Sequence, residues 1–134
     1  KINNQQVKEG LASAHWPGRL QKAKWENHPL ILDGAHNPHA IKQLAQERSS
    51  WSNQDKLIHW IIGIQLQKDA PKMLRSLLKK DDIAWIVPIP NHKSWGREEL
   101  CNVCPELSHQ ILESHGVLNV LKFLNSKHKI VYFH

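Results

Sequence analysis

The sequence predicts a three-layer α/β domain with a mostly parallel sheet and helices on both faces. Two apolar runs, KLIHWIIGI at 56–64 and IAWIVPI at 83–89, are nearly continuous in β-branched and aromatic residues. Strands buried on both faces have that pattern, whereas half-exposed strands alternate in polarity. Helical stretches separate the apolar runs and the links are short, which is typical of parallel strands joined by helical crossovers.

The first quarter of the chain predicts a helix, an edge strand and a buried strand. QQVKEGLASA at 5–14 has a helical pattern, which we expect to end before the extended stretch that Pro17 favours. The polarity of RLQKAKWEN at 19–27 alternates loosely, so we expect an edge strand there. Residues 29–33, a compact apolar run that ends in an acid, predict the next strand.

Spacing and capping residues predict the helices. Asn37 or Asp33 can cap a helix that has Pro38 in its first turn, with apolar residues at helical spacing beyond it. An amphipathic helix is predicted over 69–80. The remaining predicted elements are helices over 97–104, 106–114 and 116–126 and a last strand over 129–133.

Length and composition describe one soluble domain. The 134 residues are 40% hydrophobic and 22% charged, and no apolar run approaches the ~20 residues of a membrane span. The opening KINNQQVKEG lacks the apolar segment of a signal peptide, so we expect a cytoplasmic protein that contacts no membrane. The net charge of +6 favours anionic ligands, but its lysines are scattered, and we expect no nucleic-acid surface.

Two cysteines, Cys101 and Cys104, form a CxxC motif. A structural zinc site would need two more ligands, for which His109 and His115 are near in the sequence. The same segment has a helical pattern, however. We therefore expect two reduced thiols on a helix and no metal site.

Three loops are predicted at the carboxyl ends of the parallel strands, where open α/β sheets bind their ligands. They lie at 33–37, 63–65 and 88–95. Asp33, at a strand end, can accept hydrogen bonds from a ribose, or it can cap the helix that follows. His36 is one of ten histidines and is uninformative by itself.

Arg19 follows the stiff Pro17-Gly18 turn. Its planar guanidinium suits a phosphate, although an ordinary surface arginine explains the same residues. Trp16 and Trp95 flank the candidate loops and either line a pocket or pack against the core. No glycine precedes a lysine, which excludes a GxxxxGK[ST] phosphate loop, and there is no GxGxxG motif.

Two segments, WPGRLQ at 16–21 and ILDGAHNPHA at 31–40, resemble the C-terminal domain of the folylpolyglutamate synthase/dihydrofolate synthase family. That domain has the Rossmann-like fold of the Mur ligase C-terminal domains. HWIIGIQLQKDAPKMLRSLL at 59–78 is similar to the family's strand, GI…KD loop and helix, and IVPIPNHKSW at 86–95 is similar to its third loop. The similarity covers nearly the whole chain.

The resemblance implies an ATP-dependent ligase that joins L-glutamate to folate or dihydropteroate through an acyl phosphate. Asp33 would hold the ATP ribose, Arg19 would reach the phosphates, and His36 would position the nucleotide or the reacting end. His92 and Ser94 would contact the incoming glutamate. The family also implies a monomer and Mg²⁺ bound by an N-terminal ATPase domain.

The resemblance further implies a lead-in helix at 1–15 that joins the N-terminal domain to the domain at 16–134. The family's phosphate loop, magnesium ligands and folate pocket lie in the N-terminal domain, which this sequence lacks. The chain also stops at KIVYFH, where family members continue into a GSLYL-like segment. We therefore expect a truncated chain that is inactive alone.

Three alternatives remain open at this point. The crevice could belong to a non-catalytic module that binds a nucleotide or folate, or to a Mur-type ligase with another acceptor. A metal site of Asp33, His36 and His39 is the third, but a helix that begins at Pro38 directs His39 elsewhere.

Overall fold

The computed structural model describes residues 21–25, 28–33, 35, 37–48, 57–124 and 129–133. Their strands are β1 (Gln21–Trp25), β2 (His28–Asp33), β3 (Ile58–Ile62), β4 (Ile83–Ile86), β5 (Ile111–Glu113) and β6 (Lys129–Phe133). Their helices are α1 (Pro38–Glu47), α2 (Ala70–Leu77), α3 (Arg97–Val103) and α4 (Val117–Phe123), with a 3₁₀ helix over Pro105–Gln110. Of these described helices, none has the length and apolar character that a membrane crossing requires.

The six strands form one sheet in the order β1-β2-β6-β3-β4-β5. The five strands from β2 to β5 are parallel, and β1 pairs antiparallel with β2 at the edge, with Gln21 opposite Leu32. This confirms the mostly parallel sheet and the edge strand. The helix predicted over 5–14 lies outside the described residues.

Side chains on the two faces of the sheet enter two separate cores. On one face, Trp60 and Ile62 of β3 belong to a cluster with buried residues of α1, α2 and α3. On the other face, Ile61 belongs to a cluster with Trp85 of β4 and with Leu121 of α4. The three-layer prediction is therefore confirmed, and burial on both faces explains why β3 and β4 are continuously apolar.

The carboxyl ends of the parallel strands are in register. One row of paired residues crosses the sheet from β2 to β5: Asp33, Phe133, Ile62, Ile86 and Glu113. The loops that follow this row therefore open along one edge, which is where parallel sheets place ligand sites.

The helix predicted over 106–114 is wrong. The structure has the 3₁₀ helix there, followed by β5, in which Ile111 is fully buried and pairs with Ala84. Tertiary context decides this segment, because pairing with the edge of β4 satisfies backbone groups and buries Ile111. The correction places Glu113 at the carboxyl edge of the sheet rather than inside a helix.

At the amino-terminal edge, the buried carboxylate of Asp82 joins four parts of the chain. It accepts two hydrogen bonds from the Arg48 guanidinium, one of them at 2.7 Å, and one from the indole Nε1 of Trp60 at 3.0 Å. The backbone N–H groups of Ile58 and Lys79 donate to it at 3.1 and 3.0 Å. Burial alone would raise the pKa of Asp82, but these hydrogen bonds outweigh it and the pKa is lowered.

Gln110 ties the 3₁₀ helix to the same cluster. Its Nε2 donates to the carbonyl oxygens of Lys79 at 2.6 Å and of Asp82 at 3.0 Å. The Arg48 guanidinium also lies 5.9 Å from the ring centroid of Trp60, within cation–π range. The cluster precedes β3 and β4, opposite the edge of the candidate loops, so we interpret it as structural.

Asp82→Ala should lower the free energy of unfolding by about 3–5 kcal/mol, because it leaves the buried Arg48 charge without its partner. Chemical denaturation at neutral pH measures the loss. Glu106→Ala is the control, since it breaks the exposed Arg75–Glu106 pair and should cost far less. Equal losses in the two variants would contradict the role given to Asp82.

The contribution of Asp82 should also depend on pH. Its folded pKa lies below the ordinary 3.8, so the unfolded chain takes up the proton first as the pH falls. The stabilisation is complete above about pH 5, declines as the pH falls through the unfolded pKa of 3.8, and is lost as the pH falls through the lowered folded pKa. Asp82→Asn lacks this titration, and its free energy of unfolding should therefore fall less steeply below pH 4 than that of the wild type. Denaturation across a pH series would disprove this if the two curves stayed parallel.

Candidate functional site

Asp33 ends β2 at the carboxyl edge, and its side chain is 6% exposed. The carboxylate Oδ1 accepts the backbone N–H of Ala35 at 2.7 Å, which is the short-range bond of an Asx turn. Side chains alternate along a strand, so Asp33 lies on the same face as Ile31, the face covered by α1. The strand β2 therefore places a buried acid at the carboxyl edge of the sheet.

Asn37, and not Asp33, caps α1. The Asn37 side chain accepts the N–H of Ala40 at 2.9 Å, and Pro38 occupies the first turn. This excludes the helix-cap role for Asp33, and its ribose role stays a prediction. Its carboxylate holds the turn that precedes the helix instead.

Arg19 and His36, the other residues predicted for the nucleotide, lie outside the described residues, so their placement beside Asp33 stays a prediction. Trp16, predicted to line a pocket or to pack, also lies outside them. His39 is exposed on α1.

Hydrogen bonds join the loops after β3 and β4 into one wall. Leu66 N donates to Lys93 O at 2.9 Å, and Trp95 N donates to Ile64 O at 2.9 Å. The Trp95 indole Nε1 also donates to Lys68 O at 3.0 Å. Trp95 therefore fixes one loop against the other, through hydrogen bonds from its backbone N–H and its indole N–H.

A cleft of about 480 Å³ opens beside this wall at the ends of β4 and β5. It is lined by Ile86, Val87, Pro88, Ser94, Trp95, Gly96, Glu113, Ser114 and His115. Of the two residues predicted to contact glutamate, Ser94 lines the cleft, and its Oγ accepts a long bond from Ile89 N at 3.4 Å. His92 is exposed on the same loop and is not among the lining residues.

Two carboxylates flank Gly96 where α3 begins. Glu99 Oε1 accepts the N–H of Gly96, and Glu113 Oε2 accepts the N–H of Arg97, both at 2.9 Å. A Cβ at Gly96 would lie 3.1 and 3.2 Å from these two oxygens, so glycine permits the close approach. The Arg97 side chain adds a 2.7 Å bond to the Ile111 carbonyl, which fixes α3 against β5.

The sequence did not predict Glu113 and Ser114 as site residues, because 106–114 was assigned to a helix, and it offered His115 only as a possible zinc ligand. The sequence did hold a signal: an apolar pair runs into Glu-Ser-His-Gly, the same transition from apolar to polar that marks Asp33. Asp33 and Glu113 lie in one register row, four strand spacings and so about 19 Å apart. They lie at the two ends of the parallel part of the sheet's carboxyl edge, and the cleft described above lies at the Glu113 end.

Neither cysteine of the CxxC motif lines the cleft. Cys101 lies in α3 and Cys104 directly after it, and both are free thiols. Cys104 is buried, its Sγ donates to Leu100 O at 3.0 Å, and burial raises its pKa, so little reactive thiolate forms. In the described part of the chain, no three His, Cys, Asp or Glu side chains are grouped to hold a metal ion.

Comparisons with known proteins agree with this architecture. The family model of the dihydrofolate synthetase C-terminal domain matches residues 18–126. The chain is 34% identical to folylpolyglutamate synthase of Lacticaseibacillus casei over 89 residues, which are 66% of this chain and 20% of the relative. It is 31% identical over 119 residues to a probable bifunctional folylpolyglutamate synthase/dihydropteroate synthase of Haloferax volcanii, covering 87% of this chain and 14% of the relative. The chain thus spans a fifth or less of these two relatives.

Solved structures show the same fold. Folylpolyglutamate synthase of Thermotoga maritima superposes with a TM-score of 0.72 at 20% identity, covering 99% of this chain and 31% of that one. The bifunctional folylpolyglutamate synthase/dihydrofolate synthase of Yersinia pestis, complexed with AMPPNP and Mn ion, gives 0.67 at 20% identity, with 99% and 32% covered. Escherichia coli FolC, in complex with DHPP and ADP, gives 0.66 at 21% identity over the same shares.

Proposed function

This chain belongs to the family of dihydrofolate synthetase C-terminal domains, and on that premise we propose that it forms part of an ATP-dependent folate ligase. In such a reaction, the carboxylate of folate or dihydropteroate takes the γ-phosphoryl group of ATP and ADP leaves. The amine of L-glutamate then attacks the acyl phosphate, and phosphate leaves as the amide forms. The relatives' names, folylpolyglutamate synthase and dihydrofolate synthase, support this proposal.

The buried carboxylate of Asp33 at the carboxyl edge carries the proposal. We assign it to the ribose hydroxyls of ATP, because Asp33 ends β2 at the carboxyl edge, where parallel sheets place ligand sites, and its carboxylate oxygens are hydrogen-bond acceptors. Its Oδ1 accepts the Ala35 N–H and so closes its own turn, while Asn37 caps the following helix, so the acid is held in place before any ligand arrives.

We assign Arg19 to the ATP phosphates and His36 to the positioning of the nucleotide or the reacting end. Phosphoryl transfer depends mainly on positioning and on neutralising charge, and a guanidinium can bond two phosphate oxygens together. Brought in on a separate domain, it would act only when the domains close. In this scheme, residues 1–15 lead from an N-terminal ATPase domain into the domain at 16–134.

A divalent cation bound with ATP would neutralise phosphate charge. The relative from Yersinia pestis was solved with a nucleotide and Mn ion. As the family resemblance implies, we place the Mg²⁺ ligands in the N-terminal ATPase domain. Folate or dihydropteroate would bind there also, while Ser94 and His92 would lie on the glutamate side.

In the full-length protein, Asp33→Ala should lower kcat/KM for ATP by at least about 30-fold, or ~2 kcal/mol, the scale of one lost charged hydrogen bond. Asp33→Asn should lose less, because its side-chain oxygen can still accept the Ala35 N–H. With 2′,3′-dideoxy-ATP, wild type and Asp33→Ala should approach each other, since the contacted hydroxyls are gone. Steady-state ADP formation measures all of these.

Asn37→Ala is the matched control. It should weaken α1 by about 1 kcal/mol through loss of its cap, with little change in the KM for ATP. Near-wild-type turnover of Asp33→Ala, or an equal effect of Asn37→Ala on the KM for ATP, would refute the assignment of Asp33.

A further inference from the structure

Two thiols at the end of α3 have no part in the proposed reaction, and the backbone brings them close together. Cys101 lies in the last turn of α3, and Cys104 is the first residue after the helix. The helical rise and radius place Cα atoms three positions apart at a separation of about 5 Å. A disulfide requires a Cα separation of roughly 4.4–6.8 Å, so the backbone meets this condition.

The position of Cys104 at the helix end gives the pair freedom to close. Inside a helix, the Cβ atoms of such residues are about 5–6 Å apart, which is longer than the roughly 3.5–4.5 Å of a disulfide. Cys104 has φ −130° and ψ 71°, so its Cβ is not held in the helical position. Its Sγ donates to the Leu100 carbonyl oxygen at 3.0 Å, and a thiol is a weak donor. Closure therefore breaks one weak bond and adjusts a residue outside the helix.

The two thiols differ in their access to solvent. Cys101 is half-buried against the core, whereas Cys104 is fully buried. Burial raises the pKa of the Cys104 thiol, and the nearby Arg75 guanidinium opposes this rise. Because the thiolate is the nucleophile in thiol–disulfide exchange, a reagent from solvent should react first with Cys101.

We propose that Cys101 and Cys104 form a reversible redox pair, oxidised by a low-molecular-weight disulfide of the glutathione type. The Cys101 thiolate attacks one sulfur of the reagent, and one glutathione leaves as a thiolate that takes up a proton. The Cys104 thiolate then attacks the Cys101 sulfur of this mixed disulfide, and the second glutathione leaves in the same way. Two protein thiols become one disulfide, and the reagent disulfide becomes two thiols.

The disulfide should be easily reduced rather than structural. Closure withdraws the Cys104 Sγ from the Leu100 carbonyl and from a fully buried position, so strain in the folded state opposes it. The loop from Cys101 to Cys104 is short, so the disulfide restricts the unfolded chain only slightly. Strained disulfides are the ones that thiols reduce readily, which makes the pair reversible.

The test treats the native full-length protein with excess glutathione disulfide, then alkylates it and digests it with trypsin. Cleavage after Arg97 and Lys122 leaves one peptide, 98–122, that contains both cysteines. In the wild type, mass spectrometry should find this peptide lighter by two hydrogen atoms and unalkylated, and dithiothreitol should reverse both changes. No ligase assay enters the measurement, so its outcome is independent of the proposed function.

Two matched variants separate the two steps. Cys104→Ser keeps a donor for the Leu100 carbonyl but cannot close the disulfide, so it should accumulate the mixed disulfide, heavier by one bound glutathione. Cys101→Ser leaves only the buried thiol, which should react at least about tenfold more slowly. If serine disturbs the buried position, Cys104→Ala should give the same product as Cys104→Ser, with folding checked by circular dichroism.

The inference fails on any of three results. A wild-type peptide that stops at the mixed disulfide would show that the two sulfurs do not meet. Equal reaction rates of Cys101→Ser and Cys104→Ser would contradict the order of the two steps. A wild-type peptide that stays fully reduced in excess reagent would show that Cys101 is not open to exchange.

Discussion

The carboxylate of Asp82 is the contact on which the arrangement of the sheet depends. It is buried, and it accepts hydrogen bonds from Arg48, from the Trp60 indole and from the backbone where β3 begins. A buried ion pair adds little net stability compared with apolar packing, but breaking one is costly. A shift of one residue along β3 would remove Trp60 and Ile58 from the acid, so the cluster favours the observed register.

Register at the amino-terminal edge fixes geometry at the other edge. The strands are only four to six residues long from β2 to β4, so a shift at their start would carry through to their ends. The row from Asp33 to Glu113 exists because all five parallel strands keep one register. The two edges of the sheet therefore have different roles. The buried Asp82 cluster stabilises the strand register at the amino-terminal edge, and the loops at the carboxyl edge carry the polar side chains of the candidate site.

Local sequence predicted most of this fold because its strands and helices have local signals. Continuous apolar runs identified β3 and β4, and a cap followed by proline identified α1. The helix predicted over 106–114 was wrong because the structure of this segment depends on pairing with β4, which no local sequence pattern shows. The Asp82–Arg48 pair could not be predicted for the same reason, because its two residues are 34 positions apart in the sequence and local patterns do not show such contacts. Within the site, Asp33 and Ser94 follow recognisable strands and were found, whereas Glu113 follows the strand that was taken for a helix.

The acids at the two ends of the carboxyl edge, Asp33 and Glu113, lie in different surroundings. Asp33 is buried, and its carboxylate closes a turn. A buried acid of this kind suits a neutral hydroxyl partner, because where there is little solvent a ligand is selected by the geometry of its hydrogen bonds. Glu113 is exposed, and its Oε2 accepts the Arg97 N–H where α3 begins. About 19 Å of sheet separates the two acids, so one small ligand cannot contact both of them.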